Sequence, residues 1–166
     1  MMRLILAAML LLAPFVARAT SQIPDVLVME GREHELHSQP FGALLQSNPK
    51  LEEALSKYPR GSCSASWLGF RATWEIAGES LYLTKLVSNP CSREHSVVPL
   101  NILPGHSEGR VPAKWFTGRL VVPQGKLVEY VHMGFESKYE SYLVIDIENG
   151  AVTSRVEQSE HPGRSP

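Results

Sequence analysis

Cys63 and Cys91 bracket the stretch that most constrains this 166-residue chain. Between them two strand-like runs meet at Gly78-Glu79. A two-residue loop that opens on glycine suits a type II′ turn, whose twist matches the flanking strands. That turn pairs Ile76 with Leu81, Trp74 with Leu83 and Phe70 with Val87. All three pairs share a face, because strand side chains alternate with period two. Lys85 opposite Ala72 is the one misfit. The other face sets Arg71, Thr73 and Glu75 against Leu86, Thr84 and Tyr82. Both cysteines then fall near the open end of the hairpin, and the Asn89-Pro90 kink absorbs their offset.

The start of the chain says where such a pair would be oxidised. Arg3 and the amino terminus are positive, Leu4 to Val16 is almost wholly apolar, and Ala17-Arg18-Ala19 has the A-x-A form of a cleavage site. These features predict a secretory signal peptide over residues 1–19, and the cell type they suggest is bacterial, with export to the periplasm. In an oxidising compartment Cys63–Cys91 is the expected disulfide. By the chain-entropy argument it stabilises by roughly 3–4 kcal/mol. Cleavage leaves 147 of the 166 residues and removes Arg3 and Arg18 from the 16 basic ones. Fourteen basic residues then face 17 acidic ones, a net charge of −3. A chain of that length can bury a single core. With no basic patch, nucleic acid is a poor partner. No later run is apolar enough for stable membrane insertion.

Before the hairpin, Asp25–Met29 reads as a strand, Glu30-Gly31 as a turn and Glu33–His37 as a second strand. Pro40 to Gln46 can make one or two helical turns. A clearer helix begins at Asn48, an N-cap followed by Pro49, with Leu51, Ala54, Leu55 and Tyr58 on one stripe. After Cys91, Trp115–Val122 reads as a strand, Pro123-Gln124-Gly125 as a turn and Leu127–Met133 as the returning strand. Tyr139–Glu148 alternates, and Asn149-Gly150 predicts a type I′ turn into Ala151–Val156. In that register Ile147 meets Val152 and Leu143 meets Val156. Residues 157–166 are polar and predict a disordered tail that leaves His161 unorganised. The fold expected is a single α+β domain over residues 20–156. Its body is a meandering antiparallel sheet, curled toward a barrel, with one N-terminal helix and one disulfide.

Motifs for catalysis are few. His34 and His37 stand at i and i+3, whereas the zinc-protease motif needs i and i+4 on a helix. His95, His106, His132, Glu94 and Glu136 repeat no ligand spacing, so no metal and no cofactor is expected. The chain has no G-x-S-x-G elbow, no phosphate-binding glycine motif and no usable carboxylate pair. The segment Glu129–Glu140 stands out instead, with Tyr130, His132, Met133, Phe135 and Tyr139 crowded around Gly134. One reading makes it the end of a strand whose alternate residues are core. The other makes it a recognition loop, with Tyr130, His132, Phe135, Glu136, Lys138 and Tyr139 as the binding residues.

Trp67-x-Gly69-Phe70-x-Ala72-Thr73-Trp74-x-Ile76, then Leu81-Tyr82-Leu83, Tyr130-Val131-His132-Met133-Gly134 and Ile147-x-Asn149-Gly150 resemble a family of small uncharacterised secreted bacterial proteins. The resemblance spans Trp67 to Gly150 and brings no activity with it. By analogy of size and compartment alone, it suggests an immunity-type protein.

Three functions are therefore expected to compete. The leading one is a periplasmic protein-binding module, with the immunity protein of a secreted antibacterial toxin as its narrower form. The second is a small-molecule or cell-wall ligand carrier with a cavity lined by Tyr82, Trp74 or Tyr142. The third is a hydrolase using His132 with Glu136 or Glu129. Under the first, charge reversal at Glu136 and alanine at Tyr139 should weaken binding while sparing stability.

Overall fold

The computed structural model describes residues 20–163. The signal peptide expected over residues 1–19 lies outside them. Strands β1 (Asp25–Met29) and β2 (Arg32–Leu36) form a first hairpin, turned at Glu30 and Gly31, both with positive φ. Helices α1 (Pro40–Ser47) and α2 (Pro49–Leu55) follow. They correct the expectation of one N-terminal helix: among the described residues there are two short α-helices, after two strands. Asn48 divides them, because the residue before proline is pushed out of the helical region. It sits at φ −137°, and its side chain accepts from the Leu51 N–H at 3.2 Å to start α2.

Strands β3 (Phe70–Ala77) and β4 (Ser80–Ser88) are the bracketed hairpin, and the Cys63–Cys91 disulfide is present. Ile76 faces Leu81 and Trp74 faces Leu83, as the turn requires. Beyond Trp74 the register slips by one residue, so Phe70 faces Ser88 rather than Val87. The slip removes the misfit at Lys85. Thr84 becomes the extra residue, Lys85 moves opposite Thr73 into solvent, and Leu86 joins Ala72 in the core. A bulge of this kind costs a ladder position but returns an apolar residue to the buried face.

Two-residue strands β5 (Ser96–Val97) and β6 (Val111–Pro112) both lie against β4. The last three strands, β7 (Gly118–Glu129), β8 (Lys138–Glu148) and β9 (Ala151–Gln158), form an antiparallel meander. Strand β7 runs straight through the turn expected at Pro123-Gln124-Gly125. It is the last strand of the sheet, where a missing proline N–H leaves no ladder bond unmade. Gly125 takes φ +72° in a bulge, and the Lys126 N–H bonds the Glu140 carboxylate at 2.9 Å. At the other turn Asn149 and Gly150 both have positive φ, as type I′ demands. Ile147 pairs with Val152, but a shift at Asp146 sets Val144, not Leu143, opposite Val156. Strand β9 continues to Gln158, two residues into the segment expected to be tail.

The strand order is β2-β1-β3-β4-β9-β8-β7. Strands β1 and β3 are parallel, so the sheet is mixed rather than an antiparallel meander. A parallel pair needs a long crossover, and α1, α2 and the disulfide loop supply it. The sheet has two halves joined at a narrow seam, where Ser80 pairs with Ala151. Both halves bury their inner faces in one core that includes Leu27, Leu36, Leu55, Trp74, Leu83, Leu120 and Ile145. The expected barrel does not form. The end strands β2 and β7 meet only at a corner, where the His37 N–H bonds Val121 O at 2.8 Å and Ser38 Oγ accepts from the Val121 N–H at 2.9 Å. No helix among the described residues is long and apolar enough to cross a membrane.

Candidate functional site

The unclosed corner of the sheet holds a cleft of about 420 Å³. Five separate segments build it: the end of β2 with α1, the loop between Cys63 and β3, the start of β7, the β7–β8 loop, and the stretch holding His161 and Gly163.

The β7–β8 loop is shaped by its own sequence. Gly134 adopts φ +53°, and its carbonyl accepts the Gln22 N–H at 3.0 Å. Ser137 is buried and its hydroxyl bonds both the N–H and the carbonyl of Val131, pinching the loop closed. The Tyr142 hydroxyl accepts from the Tyr139 N–H at 2.8 Å and donates to Ser137 O. Thus braced, the loop and the end of β7 hold four large apolar side chains in solvent: Leu127 (49% exposed), Val128 (67%), Tyr130 (53%) and Met133 (46%). Trp67, 60% exposed, reaches over Gly134 from the disulfide loop, so close that a Cβ there would lie 3.2 Å from its ring. Among the described residues only two other large hydrophobics, Val97 and Val156, are comparably exposed.

The six residues named from sequence divide into groups. Tyr130 and His132 pack edge to face at 4.5 Å on the loop tip. Phe135 and Glu136 line the cleft. Tyr139 lies behind it, edge-on to His37 at 5.5 Å, and is half-buried. Lys138 is on the surface, bonded to Glu129 at 2.7 Å.

His37 was weighed from sequence only as a zinc ligand. In the structure its side chain is 6% exposed, with Phe135 stacked on the ring at 4.9 Å and Glu35 3.6 Å from Nε2. Nδ1 is buried with no hydrogen-bond partner among the described residues. Burial lowers the pKa of the ring, Glu35 opposes that shift, and the nearby His161 adds to it. His161, expected to be unorganised, packs edge-on against Tyr142 at 5.1 Å, and its Nε2 lies 3.1 Å from Phe135 O. Trp67 and Arg119 were also missed as site residues. Trp67 carried a signal, since it opens the aromatic pattern. Arg119 carried none, because strand alternation does not say which edge of the sheet a strand will occupy.

Both cysteines are in the disulfide, and among the described residues no three His, Cys, Asp or Glu gather to hold a metal. Glu129, one acid considered for a hydrolase, is engaged by Lys138, and the ring beside His132 is Tyr130. Trp74 and Tyr142, considered for an interior ligand cavity, are 0% and 1% exposed and belong to packed clusters. Tyr82 is covered by the Arg110 guanidinium at 4.0 Å from its ring. The chain matches no protein-family model, no curated protein and no solved structure, so the pattern between Trp67 and Gly150 gains no support there and geometry alone carries the functional reading.

Proposed function

We propose that this chain is an exported, periplasmic protein-binding module that grips its partner with the β7–β8 loop and the adjoining cleft. The observation that carries the reading is the exposure of Tyr130 and Met133 on a braced loop, of Leu127 and Val128 at the end of the strand before it, and of Trp67, which lies over Gly134 and lines the concave site. Large apolar and aromatic side chains around a recess are the usual centre of a protein interface. The disulfide suits an oxidising compartment. An immunity protein for a secreted toxin is the narrower form, resting on size and compartment.

A photo-crosslinking residue placed at Met133 in exporting cells tests this, with one at the exposed Lys85 as control. One dominant protein adduct, specific to Met133, is expected. The purified partner should bind the full chain, and Trp67→Ala should weaken it about tenfold or more, as for an interface anchor. Equal adduct patterns at Met133 and Lys85 would overturn the reading. For the immunity form, the captured partner must also arrest cells that lack this protein. A second reading, a small-ligand binder, draws on the cleft volume, which falls within the range of about 300–1,000 Å³ usual for ligand pockets.

A further inference from the structure

Arg119 is the charged group of the cleft that the fold leaves unspent. It projects from β7, is half-buried, and lines the recess. Among the described residues it makes no ion pair and no hydrogen bond through its side chain. Its cross-strand neighbour is Asp146, the acid best placed by register to neutralise it. Asp146 instead takes the Ser154 hydroxyl on its Oδ2. A guanidinium has five donors in a planar fork and matches a carboxylate in two parallel bonds. Partial burial without a partner is costly, and an anion brought by a ligand would remove that cost. The lining of the same recess includes the apolar and aromatic side chains of Trp67, Leu68, Phe116 and Phe135.

We infer that the cleft receives a polypeptide segment of the partner in which an acidic side chain, seated on Arg119, lies beside an apolar or aromatic one packed against Trp67 and Phe135. This rests on the protein-binding reading and names the chemistry of what is bound. It does not use the loop tip, where Tyr130 and His132 lie, so the two can be tested apart.

The probes are the peptides acetyl-Phe-Glu-Leu-amide and acetyl-Phe-Gln-Leu-amide, with phenylacetate as a small carboxylate. Each is titrated into the purified full chain while the Trp67 indole and Arg119 side-chain N–H resonances are followed. The glutamate peptide should bind about tenfold more tightly than the glutamine peptide, the weight of a charge-assisted hydrogen bond. Arg119→Gln should abolish that preference and leave the glutamine peptide unaffected. Equal affinity for the two peptides, or shifts confined to residues outside the cleft, would overturn the inference. Phenylacetate binding as tightly as the glutamate peptide would overturn the polypeptide source in favour of a small carboxylate. A crosslinked partner whose affinity survives Arg119→Gln would sink this inference and spare the protein-binding reading. Peptide preference without any crosslinked partner would do the reverse.

Discussion

Two buried ionisable side chains, one inside the first half of the sheet and one at its open corner, are treated in opposite ways. Asp25 stands at the start of β1, 3% exposed. Oδ1 accepts the Ala72 N–H at 2.9 Å and Oδ2 accepts the Trp74 indole N–H at 3.0 Å. These two bonds tie β1 to its parallel neighbour β3 and fix the largest core side chain. Burial still pushes its pKa up to about 7, against the two hydrogen bonds and the nearby Arg71. His37 stands just past β2 at the open corner, and its Nδ1 has no hydrogen-bond partner among the described residues. The difference separates scaffold from site. Where every polar atom is satisfied, the group serves the fold. Among the described residues the His37 Nδ1 and the Arg119 guanidinium lack such partners, and these are the groups on which the proposed site draws.

The largest expected effect falls on the scaffold side. Replacing both Cys63 and Cys91 by serine should lower stability by roughly 3–4 kcal/mol, read from urea unfolding. A loss below about 1 kcal/mol would mean the disulfide is not what braces the first half. Next comes Asp25→Ala, which strands two buried donors and should cost about 2–4 kcal/mol at pH 7. An equal loss from His37→Ala would erase the contrast between the two sites.

Smallest, and sharpest, is the pH dependence of the melting temperature. The folded pKa of Asp25 is raised, so its contribution is full below its unfolded value near 3.8 and is lost as pH rises through about 7. His37 is shifted down from 6.5, so its contribution is full above that value and is lost as pH falls through the folded pKa. Asp25→Asn should flatten the decline as pH rises between about 3.8 and 7, and His37→Gln the decline as pH falls below 6.5. If either variant flattened both, the two regions would be one coupled unit.

Local chemistry made much of the fold legible. The turns at Gly78-Glu79 and Asn149-Gly150, the Asn48-Pro49 helix start and the disulfide follow from residues within a few positions of one another, or from the oxidising compartment. Even the bulge at Thr84 left a trace, in the misfit of Lys85. The continuity of β7 did not, since Pro123-Gln124-Gly125 is good turn chemistry as well as good bulge chemistry. Only pairing with β8 decides between them. Of the recognition residues, Phe135 and Glu136 reach the cleft. Tyr139 packs on His37 and Tyr142, so alanine there should disturb packing as well as binding, contrary to the simpler expectation.

What the chain determined by itself is its set of local elements: hairpins from turn residues, short helices from caps and proline, and alternate burial along each strand. The tertiary structure alone decided that β1 lies parallel to β3 and that the curl stops short of closure. It also gathered His37, Trp67, Arg119 and His161 at one corner. These choices depend on contacts distant in the chain, such as Val26 with Thr73 and His37 with Val121, where no local preference acts and the packing of a shared core selects the arrangement.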